Sequence, residues 1–127
     1  MTDQDLPAVE RLSTDIYKVS RRNEVAAAIR FDFSPLLRQR DGRITGYLVP
    51  GKFGHGVAES EDDACALVGE TARRLPADAS RFFCPVGQAN FFRRVLKMGC
   101  RTMAVWTLMT LGPYEPPREV WMPSVLY

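Results

Sequence analysis

The dipeptide Asp41-Gly42 limits the fold of this chain more than any other feature. Both positions of a two-residue hairpin turn favour left-handed backbone, which Asp and Gly adopt readily. The runs at 36–40 and 44–49 therefore predict two antiparallel strands. Pro50-Gly51 predicts a second turn, followed by a third strand from about Phe53 to Ala58. Gly54 and Gly56 in that strand indicate a bulge, or the close approach of another backbone or a ligand.

Helical patterns surround these strands. A first helix is predicted with Asp5 as its cap and Pro7 in its first turn, with an apolar stripe of Leu6, Val9, Leu12 and Ile16. A second is predicted over 21–31. Ser60 and Asp63 resemble a capping box for a third helix, which Pro76 ends. A fourth has the inner stripe Phe91, Phe92, Val95 and Leu96, with Gly99 as its C-cap.

The second half of the chain predicts further strands between and after these helices. Residues 81–84 are expected to form a short buried strand, and residues 100–111 a long apolar one. The order then predicts one α/β (α+β) domain over residues 1–127. Its sheet would be mixed and mostly antiparallel, with one parallel pair and helices on both faces. The expected parts are N-terminal helices (1–33), antiparallel strands (34–59), a β-α-β half (60–112) and an extended Pro-rich tail (113–127), which is expected at a sheet edge.

Composition excludes several classes of partner. The formal net charge is +2 over 127 residues, without the concentrated basic footprint that nucleic acid requires. No apolar run approaches the ~18 residues of a membrane helix. The acidic N-terminus is unlike a signal, so we expect a cytoplasmic protein without membrane contact. Cys65, Cys84 and Cys100 form no CxxC or CxxH pair, which argues against a metal site and favours three small buried thiols.

Several strings resemble the GNAT superfamily of N-acyltransferases. The segment DGRITGY at 41–47 is similar to its hairpin. The segment FFCPVGQANFFRRVLKMGC at 82–100 is similar to its strand–Asn–helix–Gly segment, with Asn90 where the family's Asn starts the helix. TLMTLG at 107–112 resembles the closing strand of the YitH-type C-terminal GNAT-like domain, a module that normally follows a full acyltransferase domain. The resemblance covers about residues 3–112 and implies a GNAT-like fold.

The resemblance also implies a site for acetyl-CoA. In the family, two neighbouring strands part, and backbone amides at the next helix N-terminus hold the pyrophosphate. This places the cofactor at Val57, Ala58 and Ser60, with Asn90 and Arg93 nearby. The usual Gly-rich loop is replaced here by residues 57–63. Their carboxylates either stabilise the helix dipole, or point into solvent while backbone amides alone hold the pyrophosphate.

Catalysis would need a base and an acid. His55 and Glu59, on and after the third strand, are the candidate bases, although a lone His is more often structural. Tyr114 or Tyr127 could replace the family's tyrosine acid, whose position falls near Val95; turn packing is the alternative for Tyr114.

Three hypotheses follow from these residues. The first is acyl transfer from acetyl-CoA to a small-molecule or protein amine. The second is a catalytically inactive GNAT-fold module that binds a ligand or dimerises, since exposed apolar residues in the tail make a homodimer plausible. The third is a scaffold whose tail docks a partner. The acidic helix start and the missing tyrosine favour the second, whereas Gly54, Gly56 and Asn90 favour the first.

Overall fold

A four-stranded antiparallel sheet is built around the Asp41-Gly42 hairpin. The computed structural model describes residues 1–125. Strands β1 (Leu36–Arg40) and β2 (Arg43–Leu48) flank the turn, where the φ angles of Asp41 and Gly42 are 51° and 75°. Strands β3 (Gly56–Ala58) and β4 (Val120–Met122) complete the order β1-β2-β3-β4. The predicted hairpin is therefore confirmed.

Four α-helices accompany the sheet in the described residues: α1 (Leu6–Tyr17), α2 (Arg22–Arg30), α3 (Glu61–Arg74) and α4 (Ala89–Lys97). A 3-10 turn at Asp3–Asp5 precedes α1. Ser60 caps α3 as predicted, because its Oγ accepts a hydrogen bond from the Asp63 amide at 3.2 Å. Asp5 occupies the N-cap of α1 but makes no side-chain bond to it; its carboxylate instead accepts from the Thr2 amide at 2.7 Å.

Helices cover both faces of the sheet, because strand residues alternate between two cores. In β2 to β4, Tyr47, Val57 and Trp121 point to one face, where α1 and α2 bury their apolar stripes. We call this the α1 core. Leu48, Ala58, Val120 and Met122 point to the other face, where α3 and α4 pack. We call this the α3 core. The α+β class with helices on both faces is thus confirmed.

The predicted parallel pair is wrong: every strand neighbour within residues 1–125 is antiparallel. Residues 81–84 and 100–111 form no strand, and the predicted third strand is confined to Gly56–Ala58. The place beside β3 is taken by β4, the last strand anticipated in the tail. The three side chains of β4 alternate between the two cores and are buried, whereas residues 101–111 are exposed to solvent.

Gly54 and Gly56 are explained by close backbone approach within the chain. A Cβ on Gly54 would lie 1.9 Å from the Val49 carbonyl oxygen, and one on Gly56 would lie 2.7 Å from that of Tyr47. These glycines therefore allow the chain to turn back tightly against β2. Their presence needs no ligand.

Candidate functional site

The expected cofactor position lies where β3 leads into α3. Val57 pairs with Tyr47 on one side and with Trp121 on the other, and Ala58 pairs likewise with Gly46 and Val120. The next amide, that of Glu59, donates to the Thr45 carbonyl at 2.9 Å. Strand β3 is thus paired on both sides, with β2 on one side and with β4 on the other. The opening that the resemblance implies does not exist at this point.

The start of α3 is occupied by an internal ionic cluster. The Asp63 side chain is 1% exposed and accepts hydrogen bonds from Arg38 Nε and Arg40 at 3.0 Å each, and from the Ser60 hydroxyl at 2.9 Å. Burial by itself would raise the pKa of Asp63, but the bonds from Ser60 and Arg38 and the charge of Arg40 outweigh it and lower that pKa. The cluster ties the hairpin to the helix.

Helix α4 supplies a cation to the remaining acidic residues of this turn. Arg94 contacts Asp62 at 2.6 Å and Glu61 at 3.5 Å. The two other predicted cofactor residues bond to each other, since Arg93 donates to Asn90 Oδ1 at 2.6 Å on the exposed side of α4. The acidic first turn is therefore balanced by arginines of the chain itself.

His55 is buried on the face of the sheet that packs against the α1 core. It is 3% exposed, and its ring meets those of Tyr47 and Tyr17 edge-on, at 5.4 and 6.4 Å between centroids. Its Nε2 has no hydrogen-bond partner among residues 1–125. Burial, together with the positive charge of Arg21, lowers the pKa of His55 to about 4. The imidazole is therefore neutral near pH 7 and shielded from solvent.

The other two predicted catalytic residues have separate surroundings. Glu59, which follows β3, forms a bidentate pair with Arg43 at the start of the neighbouring strand β2, with one bond of 2.7 Å. Tyr114 lies in the exposed stretch that precedes β4. His55 faces the aromatic core, Glu59 an arginine, and Tyr114 the surface. The structure does not gather the three around a common cleft, and Tyr127 lies outside the described residues.

Two contacts had no signal in the sequence. The Gln88 side-chain amide bonds both backbone groups of Trp121: Nε2 donates to the carbonyl at 2.7 Å, and Oε1 accepts from the amide at 3.2 Å. The cysteines also converge on one region, with Cys65 in the α3 core and Cys84 and Cys100 packed against it. Burial raises the pKa of Cys84 to about 12, so its thiol stays protonated.

Among residues 1–125, no three His, Cys, Asp or Glu side chains are grouped to hold a metal ion.

The most exposed apolar surface is the run 101–111, which we call the apolar segment. It has no regular secondary structure in the described chain, and Met109 and Trp106 are 86% and 67% exposed. Trp106 meets the ring of Phe83, in the irregular stretch between α3 and α4, edge-on at 5.7 Å. The other large exposed side chains of the segment are Met103, Val105, Leu108 and Leu111.

Comparison with protein-family models, with curated proteins and with solved structures gave no match. Within residues 1–125, no helix is both long and apolar enough to cross a bilayer.

Proposed function

We propose that this chain is a non-catalytic GNAT-like module that forms a homodimer through the apolar segment. The observation that carries the proposal is the exposure of six large apolar side chains within residues 103–111. Monomeric proteins rarely leave so continuous an apolar surface in water, and larger patches commonly mark interaction sites. A cytoplasmic setting, with the three cysteines kept as thiols, fits this module.

The size of the segment suits a stable interface. Burying a side chain of this kind contributes about 1.5–3 kcal/mol, so six contribute on the order of 10 kcal/mol per chain. At roughly 25 cal/mol per Å², this corresponds to about 400 Å² of apolar side-chain area per chain. A standard interface buries about 800 Å² per partner, including its polar rim and backbone. Two segments in a symmetric dimer therefore supply a plausible interface core.

The surroundings of the candidate catalytic groups support a non-catalytic role. A general base must reach the proton that it removes, and it works best with a pKa near the working pH. His55 is enclosed by aromatic rings and has a pKa of about 4. Glu59 is held by Arg43. Of the predicted cofactor positions, Val57 and Ala58 are paired on both sides within the sheet, and the next amide, that of Glu59, donates to Thr45.

Sedimentation velocity over a dilution series tests the proposal. We expect a reversible dimer for the wild type and a monomer for the double variant Trp106→Glu, Met109→Glu. Val19→Glu is the matched control, because Val19 is also an exposed apolar residue but lies between α1 and α2. A wild-type protein that is monomeric at every concentration would contradict the proposal, as would a double variant that dimerises normally.

Acyl transfer from acetyl-CoA to a small-molecule or protein amine is the second candidate. One observation favours it: β3 runs into an α-helix capped by Ser60, the order in which the family presents amides to pyrophosphate. Isothermal titration with acetyl-CoA separates the two functions. Binding accompanied by thiol release in the presence of an amine would establish the transferase, whereas no heat at saturating ligand leaves the association module.

A further inference from the structure

The open edge of the sheet is β1. The sheet has two outer strands, β1 and β4. In β4, both backbone groups of the central residue Trp121 already have hydrogen-bond partners, because the Gln88 side-chain amide binds its carbonyl and its amide. An unpaired edge is a template for another extended chain. Of the two edges, β1 is therefore the one at which a further strand can be added.

A groove runs beside β1. It encloses about 440 Å³ between the strand and helix α3, with Leu37 and Arg38 on one side and Ala66, Glu70 and Arg74 on the other. A second depression of about 300 Å³ shares Leu36 and Arg74 with it and extends it toward Asp32. Together they lie beside the first three residues of the strand, Leu36 to Arg38. Pockets beside an exposed sheet edge can receive side chains of an added peptide strand.

The charged side chains of the main groove are already matched within the chain, and Met1 also lines it. Arg74 pairs with Glu70, and Arg38 pairs with the buried Asp63 at 3.0 Å. An occupant with charged side chains would find no unpaired charged side chain in the groove and would lose part of its hydration. The apolar segment meets this condition after its first residue, Arg101, because residues 102–111 include no charged side chain.

The composition of the apolar segment is that of a strand. Thr102, Val105, Thr107 and Thr110 are β-branched and Trp106 is aromatic, the residue types that fit a pleated surface. The segment has no strand partner among residues 1–125. Its length exceeds the five residues of β1, so pairing would leave large side chains free to enter the groove.

We infer that the apolar segment of one chain docks as an added strand along the β1 edge of a second copy, and that the two chains exchange segments about a two-fold axis. The inference rests on the proposed homodimer and names its acceptor surface. Such an interface is self-complementary, since each chain contributes one segment and one groove. Because the side chains of a strand alternate in direction, the segment would place one of its two faces, Met103, Val105, Met109 and Leu111 or Trp106 and Leu108, toward the partner's groove.

A complementation experiment tests this arrangement. The groove variant is Ala66→Arg, which places a long charged side chain at an exposed helical position that lines the groove. Ala72→Arg is the matched control, with the same change at an exposed position of α3 outside the groove lining. We expect Ala66→Arg to be monomeric and Ala72→Arg to be dimeric, with the wild-type far-UV circular dichroism spectrum in both.

A mixture of the groove variant and the segment variant shows which surface the segment binds. Ala66→Arg keeps its segment, and Trp106→Glu, Met109→Glu keeps its groove, so an equimolar mixture should form a heterodimer although neither variant dimerises alone. One docked segment instead of two makes this heterodimer weaker than the wild type. If Ala66→Arg dimerises like the wild type while the segment variant does not, segments pair with each other and the β1 inference is overturned, but the proposed function survives. A mixture that never associates also overturns it. A monomeric wild type removes both proposals.

Discussion

The buried His55 makes stability depend on pH in a defined window. The chain contains a single histidine, so no other imidazole contributes to this pH dependence. In the unfolded chain the imidazole takes up a proton as the pH falls through about 6.5. In the folded chain it does so only near pH 4, because burial and the nearby charge of Arg21 oppose the imidazolium. Between these values the unfolded state binds more protons, and stability falls as the pH falls.

The size of the effect follows from the two pKa values. A difference from 6.5 to about 4 is worth roughly 3 kcal/mol in full, at about 1.4 kcal/mol per pH unit. Roughly 2 kcal/mol of this is lost by about pH 5. The carboxylates with lowered pKa, Asp63 and Glu70, lose their contribution only below their ordinary values of 3.8 and 4.5. The range between about pH 7 and pH 5 therefore reports mainly on His55.

Urea unfolding followed by tryptophan fluorescence measures this dependence. The wild type should lose about 2 kcal/mol of unfolding free energy between about pH 7 and pH 5. His55→Gln, which has no titrating group, should lose little over the same range, whatever its stability at neutral pH. If the variant shows the same slope as the wild type, or the wild type shows none, His55 is not the buried neutral group described above.

Three further substitutions test the packing around the candidate site, each by urea denaturation. Asp63→Asn should cost about 2 kcal/mol because it removes the charge that binds two arginines, while Asp62→Asn, at an exposed pair, should cost well under 1 kcal/mol. Gly54→Ala should cost about 3 kcal/mol or more, since its Cβ would overlap a backbone carbonyl, whereas Gly87→Ala, with open space around it, should be nearly neutral. Gln88→Ala should cost about 1–2 kcal/mol and speed amide exchange in β4.

Elements with local signals were predictable from the sequence. The Asp41-Gly42 turn, the Ser60 cap and the end of α4 near Gly99 each depend on residues within one turn of the element. The strand β4 has only three residues, and its place in the sheet depends on partners about sixty residues earlier in the chain. Such pairing has no local signature. This is why residues 100–111, with their longer apolar run, were predicted to be a strand, whereas residues 120–122 were assigned only to an extended tail at a sheet edge.

The candidate site was harder to predict for the same reason. His55 and Glu59 were chosen for their place on a strand, but the depth of His55 depends on Tyr17 and Arg21 from the N-terminal helices. The pairing of Glu59 with Arg43 depends on the register of the sheet. Both residues were predicted as bases from their own side-chain chemistry. Whether either can exchange a proton with a substrate depends on the residues around it.

The strand β4 is bonded to elements from both helical layers. On one face the Tyr17 hydroxyl of α1 donates to the Met122 carbonyl at 2.9 Å, and from the segment before α4 the Gln88 amide binds Trp121. During synthesis, the helices of both layers therefore emerge well before the strand that completes their contacts. A ribosome-bound chain lacking residues 120–122 would present an incomplete sheet and two unfinished cores, and its folding would become cooperative only when those residues leave the exit tunnel.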